Sequence, residues 1–145
     1  MEMIIRNMCN GDRDHIFDMM RVFYASAAVF TNGSDEIFNN DIDACVGENP
    51  FAEGFVFEYS DEIIGYAMIA KSFSTEFGKA CIWIEDLYFK DEFRGLGLGK
   101  QFFDFITGRY TDCIFRLEVE EENERAVRLY RKCGFSELPY MEMKK

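Results

Sequence analysis

Histidine and proline are scarce in this chain of 145 residues, which has one histidine and two prolines. With His15 as the sole imidazole, neither a histidine-based metal site nor a serine–histidine nucleophile is expected. The five cysteines include no C-x-x-C pair and are odd in number, so they indicate neither a disulfide framework nor a zinc site. Cysteines in this number and spacing are typical of a protein that stays reduced in the cytoplasm.

Long apolar runs and an excess of basic residues are also missing. No stretch is long and uncharged enough for a membrane span, and the N-terminus lacks the basic and apolar regions of a secretory signal. The formal net charge is −11, so a basic face for nucleic acid is not expected. Such an acidic surface attracts cationic small molecules, although solubility alone also explains it.

What the chain does contain is apolar and aromatic material for a sizeable core: 48% of its residues are hydrophobic and 17% aromatic. This length and composition predict one domain spanning residues 1–145. Apolar periodicity, capping residues and turn signals predict the element order β-α-α-β-β-β-α-β-α-β. The predicted elements lie at residues 2–7, 13–30, 34–46, 55–59, 63–70, 80–89, 97–108, 113–119, 123–132 and 135–143. This order predicts an α+β fold with a mixed sheet flanked by helices.

A glycine-rich segment at residues 94–100, RGLGLGK, lies between the predicted strand at 80–89 and the helix that follows. Such a segment binds phosphate diesters, because glycines allow close approach and the helix N-terminus carries partial positive charge. A P-loop is excluded, since Gln101 stands where Ser or Thr is required. A dinucleotide fingerprint is disfavoured by the G-x-G-x-G spacing of Gly95, Gly97 and Gly99. The pyrophosphate loop of an acyl-CoA transferase is the third interpretation.

Two motifs resemble those of a known family. Arg94-x-x-Gly97-x-Gly99 is similar to the R/Q-x-x-G-x-G/A loop of the GNAT superfamily of N-acetyltransferases. Residues 123–135, NERAVRLYRKCGF, resemble that family's N-x-x-A-x-x-L-Y-x-x-x-G-F segment, in the expected order. The resemblance covers residues 55–143 well, and the IEDLYF run at 84–89 is similar to the spermidine/spermine branch. It implies the GNAT-like acyl-CoA N-acyltransferase fold.

The resemblance also implies that acetyl-CoA is the co-substrate, with no metal, in a V-shaped gap between residues 82–89 and 113–119. Backbone groups of the first strand would bind the pantetheine arm as an added strand does. The loop N–H groups would hold the pyrophosphate. The implied cofactor-binding residues are Leu87, Tyr88, Phe89, Arg94, Gly95, Leu96, Gly97, Leu98, Gly99, Lys100, Asn123 and Ala126.

Acetyl transfer to an amine needs a base and a proton donor for the leaving thiol. Glu85 is the candidate base, acting through water, although a structural hydrogen bond explains this carboxylate equally well. Tyr130 is the candidate general acid. Periodicity alone favours a core position for Tyr130, and the motif match favours catalysis. Asp86 should face away from Glu85 unless a bulge breaks the strand's alternation.

The expected reaction is direct transfer, in a ternary complex, to a small cationic amine such as a polyamine or diamine. Candidate acceptor-binding residues are Tyr24, Glu85, Asp86 and Glu118. Acetylation of a protein N-terminus or lysine, a non-catalytic acyl-CoA-binding module and an NAD-dependent oxidoreductase are the alternatives. A homodimer is an expectation from the family. Neither nucleic acid nor membrane is expected as a partner.

Overall fold

A five-stranded sheet in the order β1-β2-β3-β4-β5 forms the centre of the molecule in a computed structural model that describes residues 2–145. The elements are β1 Ile4–Asn7, α1 Arg13–Tyr24, α2 Asp35–Val46, β2 Ala52–Tyr59, β3 Glu62–Ser74, β4 Lys79–Phe89, α3 Leu98–Arg109, β5 Ile114–Leu117 and α4 Glu124–Lys132. The first three pairings are antiparallel, and β4 pairs with β5 in parallel. The predicted α+β class is confirmed. No helix within residues 2–145 is long and apolar enough to cross a membrane.

The sheet is buried on both faces. On one face, β2 and β3 residues such as Val56 and Tyr66 pack with α1 and α2. On the other face, Phe55, Phe57 and Ile64 pack with the buried side of α3. The hairpin between β2 and β3 turns at Ser60 and Asp61, which both have positive φ. A two-residue turn needs this conformation to match the right-handed twist of the two strands.

Helix α1 ends at Tyr24, six residues before its predicted end, and residues 25–30 form turns and bends. Ser26 accounts for the early end. Its hydroxyl donates to the carbonyl of Phe23 at 2.6 Å and accepts from the backbone N–H of Ala28 at 3.2 Å. Such local bonds replace the hydrogen bonds of a continuing helix. By contrast, α2 begins as predicted, with the Ser34 hydroxyl accepting from the backbone N–H of Ile37.

The predicted last strand at residues 135–143 is wrong, because the chain after α4 forms no helix or strand. Phe135 packs against the core, but the later apolar side chains point to solvent: Met141 is 86% exposed and Met143 is 85% exposed. Apolar alternation produces a strand only where one face is buried against neighbours, and the chain after Phe135 has no such buried face. The tail nevertheless contacts the sheet region, and the Tyr140 hydroxyl donates to Glu76.

Strand β4 carries a bulge at Glu85. Met68 of β3 pairs with Asp86 and Ile69 pairs with Ile84, so Glu85 has no partner across this pair of strands. A bulge of this kind bends the strand and redirects side chains. The side chains that pack on the α3 side are therefore at positions 82 and 84 before the bulge, and at 87 and 89 after it. The strict alternation expected for Glu85 and Asp86 does not hold here.

The sheet opens at the same point. Pairing between β4 and β5 covers only residues 81–84 and 114–117, and β5 ends at Leu117. Strand β4 continues to Phe89 with β3 on one edge, and no other strand within residues 2–145 pairs with its second edge. The V-shaped gap implied by the resemblance is therefore present.

Candidate active site

An open cleft of about 750 Å³ lies in this gap. Its walls are the second half of β4, the glycine-rich loop, the start of α3, the end of β5 and one face of α4. Of the sequence-predicted site residues, the cleft is lined by Glu85, Leu87, Tyr88, Phe89, Arg94, Gly95, Gly97, Leu98, Gly99, Lys100, Glu118, Asn123, Ala126 and Tyr130. Leu96, Tyr24 and Asp86 are not in its lining. One cavity thus brings together elements that are far apart in the sequence.

The glycine-rich loop ends in a free helix N-terminus. Gly95 and Gly97 have φ values of 76° and 79°, and Gly97 is the N-cap of α3. Residues with side chains rarely adopt this conformation, so both positions favour glycine. The first turn of α3 has no acidic residue, and no side chain caps its N–H groups. Unsatisfied N–H groups and the helix dipole together form an anion-binding site.

Arg94 is held at the mouth of this loop. Its Nε donates to the Phe89 carbonyl at 2.9 Å, its Nη1 lies 3.0 Å from an Asp91 carboxylate oxygen, and its guanidinium carbon lies 5.5 Å from the centre of the Tyr88 ring. These three contacts tie the loop to the end of β4 and keep a positive charge beside the free N–H groups.

Helix α4 presents a basic face that the sequence interpretation missed. Arg125, Arg128 and Lys132 line the cleft, and none forms an ion pair within residues 2–145. The Arg125 guanidinium would lie 3.3 Å from a Cβ placed on Gly95. Arg131, by contrast, lies outside the cleft lining and pairs with Glu137 at 3.2 Å. The spacing of three and four residues between these cations was the available signal, since it places them on one helical face.

Asn123 and Tyr130 are positioned by α4 itself. The Asn123 side chain accepts from the backbone N–H of Ala126 at 3.4 Å and caps the helix, as the sequence predicts. The Tyr130 ring packs edge-on against Phe103 and Phe135. Burial, and to a lesser degree Cys133, raises the pKa of Tyr130. The raised pKa keeps the phenol protonated while making it a weaker acid, and Tyr130 lines the cleft.

Glu85 lies at the cleft wall where the bulge places it. The surrounding protein removes part of its hydration, and this desolvation raises the pKa of the Glu85 carboxyl above its usual range. The neighbouring carboxylates of Asp86 and Glu142 raise it further. A carboxyl with a raised pKa is a stronger base when ionised, which is what proton removal from an ammonium group requires.

Asp86 lies behind this wall. It is 4% exposed and accepts hydrogen bonds from the hydroxyls of Tyr24, at 2.9 Å, and Tyr66, at 2.8 Å. Burial raises the pKa of Asp86 to about 6, even though the two tyrosine hydrogen bonds lower it. The structure thus places Tyr24 and Asp86 together, where they join the end of α1 to β4 next to Glu85.

Further carboxylates lie near Glu85. Burial, and then Glu85, raises the pKa of Asp41 on α2 to about 6. The Glu118 carboxyl lies close to that of Glu142 in the tail, and this contact, together with desolvation, raises the pKa of Glu118 to about 7. No ion pair joins Asp41, Glu118 or Glu142 to a cation within residues 2–145. The sequence analysis missed Asp41 and Glu142, because only the folded chain brings α2 and the tail to this point.

The cleft therefore has opposite charges at its two ends. Cations and free N–H groups lie at the α3–α4 end. At the other end Glu85 and Glu118 line the cleft, and Asp41 and Glu142 lie near them outside the lining. Within residues 2–145, no group of three or more histidine, cysteine, aspartate or glutamate side chains is arranged to hold a metal ion.

Comparison with known proteins agrees with this geometry. Residues 16–135 match the Acetyltransferase (GNAT) family. The chain is 31% identical over 152 residues to thialysine N-epsilon-acetyltransferase of Sus scrofa, covering 96% of this chain and 87% of that protein. The Bos taurus protein of the same name is 30% identical with the same coverage.

Two solved structures show the same fold. A possible acetyltransferase from Clostridium difficile 630 superposes with a TM-score of 0.83 at 19% identity, covering 99% of this chain and 96% of that one. The aminoglycoside acetyltransferase AAC(6')-Iy, in complex with a bisubstrate analog of CoA, superposes with a TM-score of 0.81 at 16% identity, covering 100% and 98%.

Proposed function

Because this chain belongs to the GNAT acetyltransferase family, we propose that its cleft transfers the acetyl group of acetyl-CoA to a small cationic primary amine. The observation that carries this proposal is the opposite charge of the two ends of one cavity. Phosphates are attracted to the α3–α4 end and an ammonium group to the carboxylates at the other, so the two substrates meet between them.

The coenzyme is expected to enter at the glycine-rich loop. Its pyrophosphate accepts from the N–H groups at the start of α3, with Arg94 and the basic face of α4 beside it. Its pantetheine arm follows the unpaired edge of residues 87–89, where backbone groups of β4 face the gap. This path leads the thioester along the cleft towards Glu85 and Tyr130.

In direct transfer the acceptor nitrogen loses two protons and the leaving thiolate gains one. Glu85 accepts a proton from the ammonium group of the acceptor, through a water molecule. The free amine attacks the thioester carbonyl carbon, the new C–N bond forms and the C–S bond breaks. Tyr130 donates its phenolic proton to the departing thiolate of coenzyme A, and the second proton of the attacking nitrogen returns to Tyr130 through water. The products are an N-acetylated amine and coenzyme A, and no covalent enzyme intermediate is needed.

Acceptor candidates include the thialysine on which the named relatives act, and the polyamines and diamines expected from the sequence. All of them carry at least one ammonium group, which the carboxylates of Asp41, Glu118 and Glu142 attract. Small amines of this kind fit the cleft volume of about 750 Å³ better than a folded protein does.

The test is release of the coenzyme A thiol, measured for a panel of amines that includes thialysine, lysine, cadaverine and spermidine. Turnover of at least one small amine is expected, with loss of most activity in Glu85→Gln. Acetyl-CoA should also raise the melting temperature, whereas NAD should not. Stabilisation by NAD alone, or turnover of protein substrates without any small amine, would overturn the proposal.

A further inference from the structure

Arg116 is a half-buried cation that has no anionic partner within residues 2–145. It lies on β5 between Phe115 and Leu117, whose side chains pack on the α3 side of the sheet. Because side chains alternate along a strand, Arg116 points to the opposite face. Its guanidinium carbon lies 4.6 Å from the centre of the Trp83 ring. It forms no ion pair or hydrogen bond with another residue of the described chain, 2–145.

Arg116 and Trp83 lie outside the cleft lining but next to the end of the cleft that holds Glu85 and Glu118. Trp83 and Arg116 are direct partners in the pairing of β4 with β5. Glu85 follows Trp83 by two residues, and Glu118 follows Arg116 by two residues; both line the cleft. Two residues of a strand span roughly 7 Å. The Arg116 guanidinium therefore lies about 7 Å from Glu85 and Glu118 along the strands. It lies on the side away from the glycine-rich loop that follows β4.

The role of Arg116 rests on the acetyl transfer proposed above. We propose that Arg116 binds a carboxylate of the acceptor, and that the acceptor is therefore an amino acid whose side-chain amine is acetylated. A guanidinium binds a carboxylate through two parallel hydrogen bonds, and the Trp83 ring fixes its plane. An extended lysine-length side chain reaches from a carboxylate at Arg116 to an amine at Glu85.

The same charge discriminates against other small amines. A diamine of equal length, with its first nitrogen at Glu85, would place its second ammonium group close to the Arg116 guanidinium. Like charges at short range disfavour binding, so the arginine selects by repulsion as well as by attraction. A purely structural stacking of Arg116 on Trp83 would show no such preference, because it makes no contact with the acceptor.

The experiment compares matched acceptors that differ only in the carboxylate. Thiol release is measured with lysine against cadaverine, and with thialysine against the diamine formed by removing its carboxyl group. For the unaltered protein, kcat/KM is expected to be at least tenfold higher for the carboxylate-bearing member of each pair. In Arg116→Gln this ratio should fall roughly 10- to 100-fold, mostly through KM, and Arg116→Lys should restore part of it.

Arg131→Gln is the matched control, since it removes an arginine that lies outside the cleft and should leave the ratio unchanged. Melting temperatures of all variants show whether a loss reflects folding. An unaltered protein that prefers the diamines, or a ratio that survives in Arg116→Gln, overturns the role of Arg116 while acetyl transfer to amines stands. Absence of turnover with every amine counts instead against the proposed function.

Discussion

At the residue scale, adjacent positions in this chain have different roles because their surroundings differ. Glu85 and Asp86 are neighbouring carboxyls with raised pKa values, yet only Glu85 lines the cleft. Asp86 accepts from two tyrosine hydroxyls and is buried, so it can neither reach the acceptor nor exchange protons with it freely. The bulge at Glu85 thus places a candidate base in the cleft, while the adjacent Asp86 serves as a structural carboxylate.

Tyr130→Phe removes the proposed proton donor while keeping the ring that packs on Phe103 and Phe135. We expect kcat to fall roughly 100-fold, the size typical of losing a general acid, with little change in KM for acetyl-CoA. Steady-state thiol release measures both constants. Tyr59→Phe, outside the cleft, is the control and should behave as the unaltered protein. Unchanged turnover in Tyr130→Phe would show that another group protonates the thiolate.

Glu85→Gln tests the base through the pH profile. Glu85 acts when ionised, so kcat/KM should rise with pH through a pKa above the usual range of glutamate, as its raised pKa requires. Glutamine cannot titrate, so this acidic limb should disappear along with most of the activity. Profiles of kcat/KM from pH 5 to 9 measure the effect. A limb that persists unchanged in Glu85→Gln would assign it to another group.

At the element scale, the start of α3 and one face of α4 make the basic end of the cleft. The loop needs backbone at positive φ at Gly95 and Gly97, and α4 must lie close to α3. A Cβ on Gly99 would lie 2.7 Å from Leu129 Cδ2. Because Gly99 has no side chain, Leu129 of α4 can pack directly against α3. The positions of the glycines therefore determine both the conformation of the loop and the packing of α3 against α4.

Gly97→Ala should weaken the binding of acetyl-CoA. An alanine at φ 79° is strained by about 1–2 kcal/mol, and relief of that strain moves the N–H groups proposed to bind the pyrophosphate. We expect an increase of roughly tenfold in the Kd of acetyl-CoA, measured by calorimetry, with a lower melting temperature. Gly108→Ala is the matched control in the same helix, where a Cβ meets nothing within 4 Å. It should stabilise α3 by about 0.5–1 kcal/mol and leave the Kd unchanged.

At the scale of the whole molecule, charge is distributed unevenly. The net charge is −11, yet five of the sixteen lysines and arginines line the cleft. The carboxylates at the opposite end of the cleft lack cationic partners, and their raised pKa values record the cost of keeping them there. Stability is thus given up at the site where an ammonium group is expected to bind.

The free energy of unfolding should therefore fall as pH rises from 5.5 to 7.5. Asp41 and Asp86 have folded pKa values of about 6, whereas an unfolded aspartate titrates near ~4. Across this window the folded chain binds more protons than the unfolded chain, so raising the pH favours unfolding. Asp12 acts in the opposite direction: Arg6 lowers its pKa to about 2, so its stabilisation is complete above pH ~4 and is lost towards pH 2.

Urea unfolding at pH 5.5 and 7.5 measures this difference. Asp41→Asn should make the fall in unfolding free energy smaller, since it removes one of the contributing carboxyls. A free energy that rises across the same window would contradict the assignment of raised pKa values to these groups.

The sequence by itself determined the hairpin, the glycine-rich loop, the family and the helices apart from the end of α1, because each depends on local spacing or on a motif within one segment. Glycines at 95, 97 and 99, the Asn123 cap and the apolar periodicity of α3 needed no tertiary information. Only the tertiary structure decided that Glu85 forms a bulge, that residues 135–143 make no strand, and that Asp41, Arg116 and Glu142 lie around one end of the cleft. These features depend on contacts between residues distant in the chain, where burial and electrostatic interaction arise only once the sheet has formed.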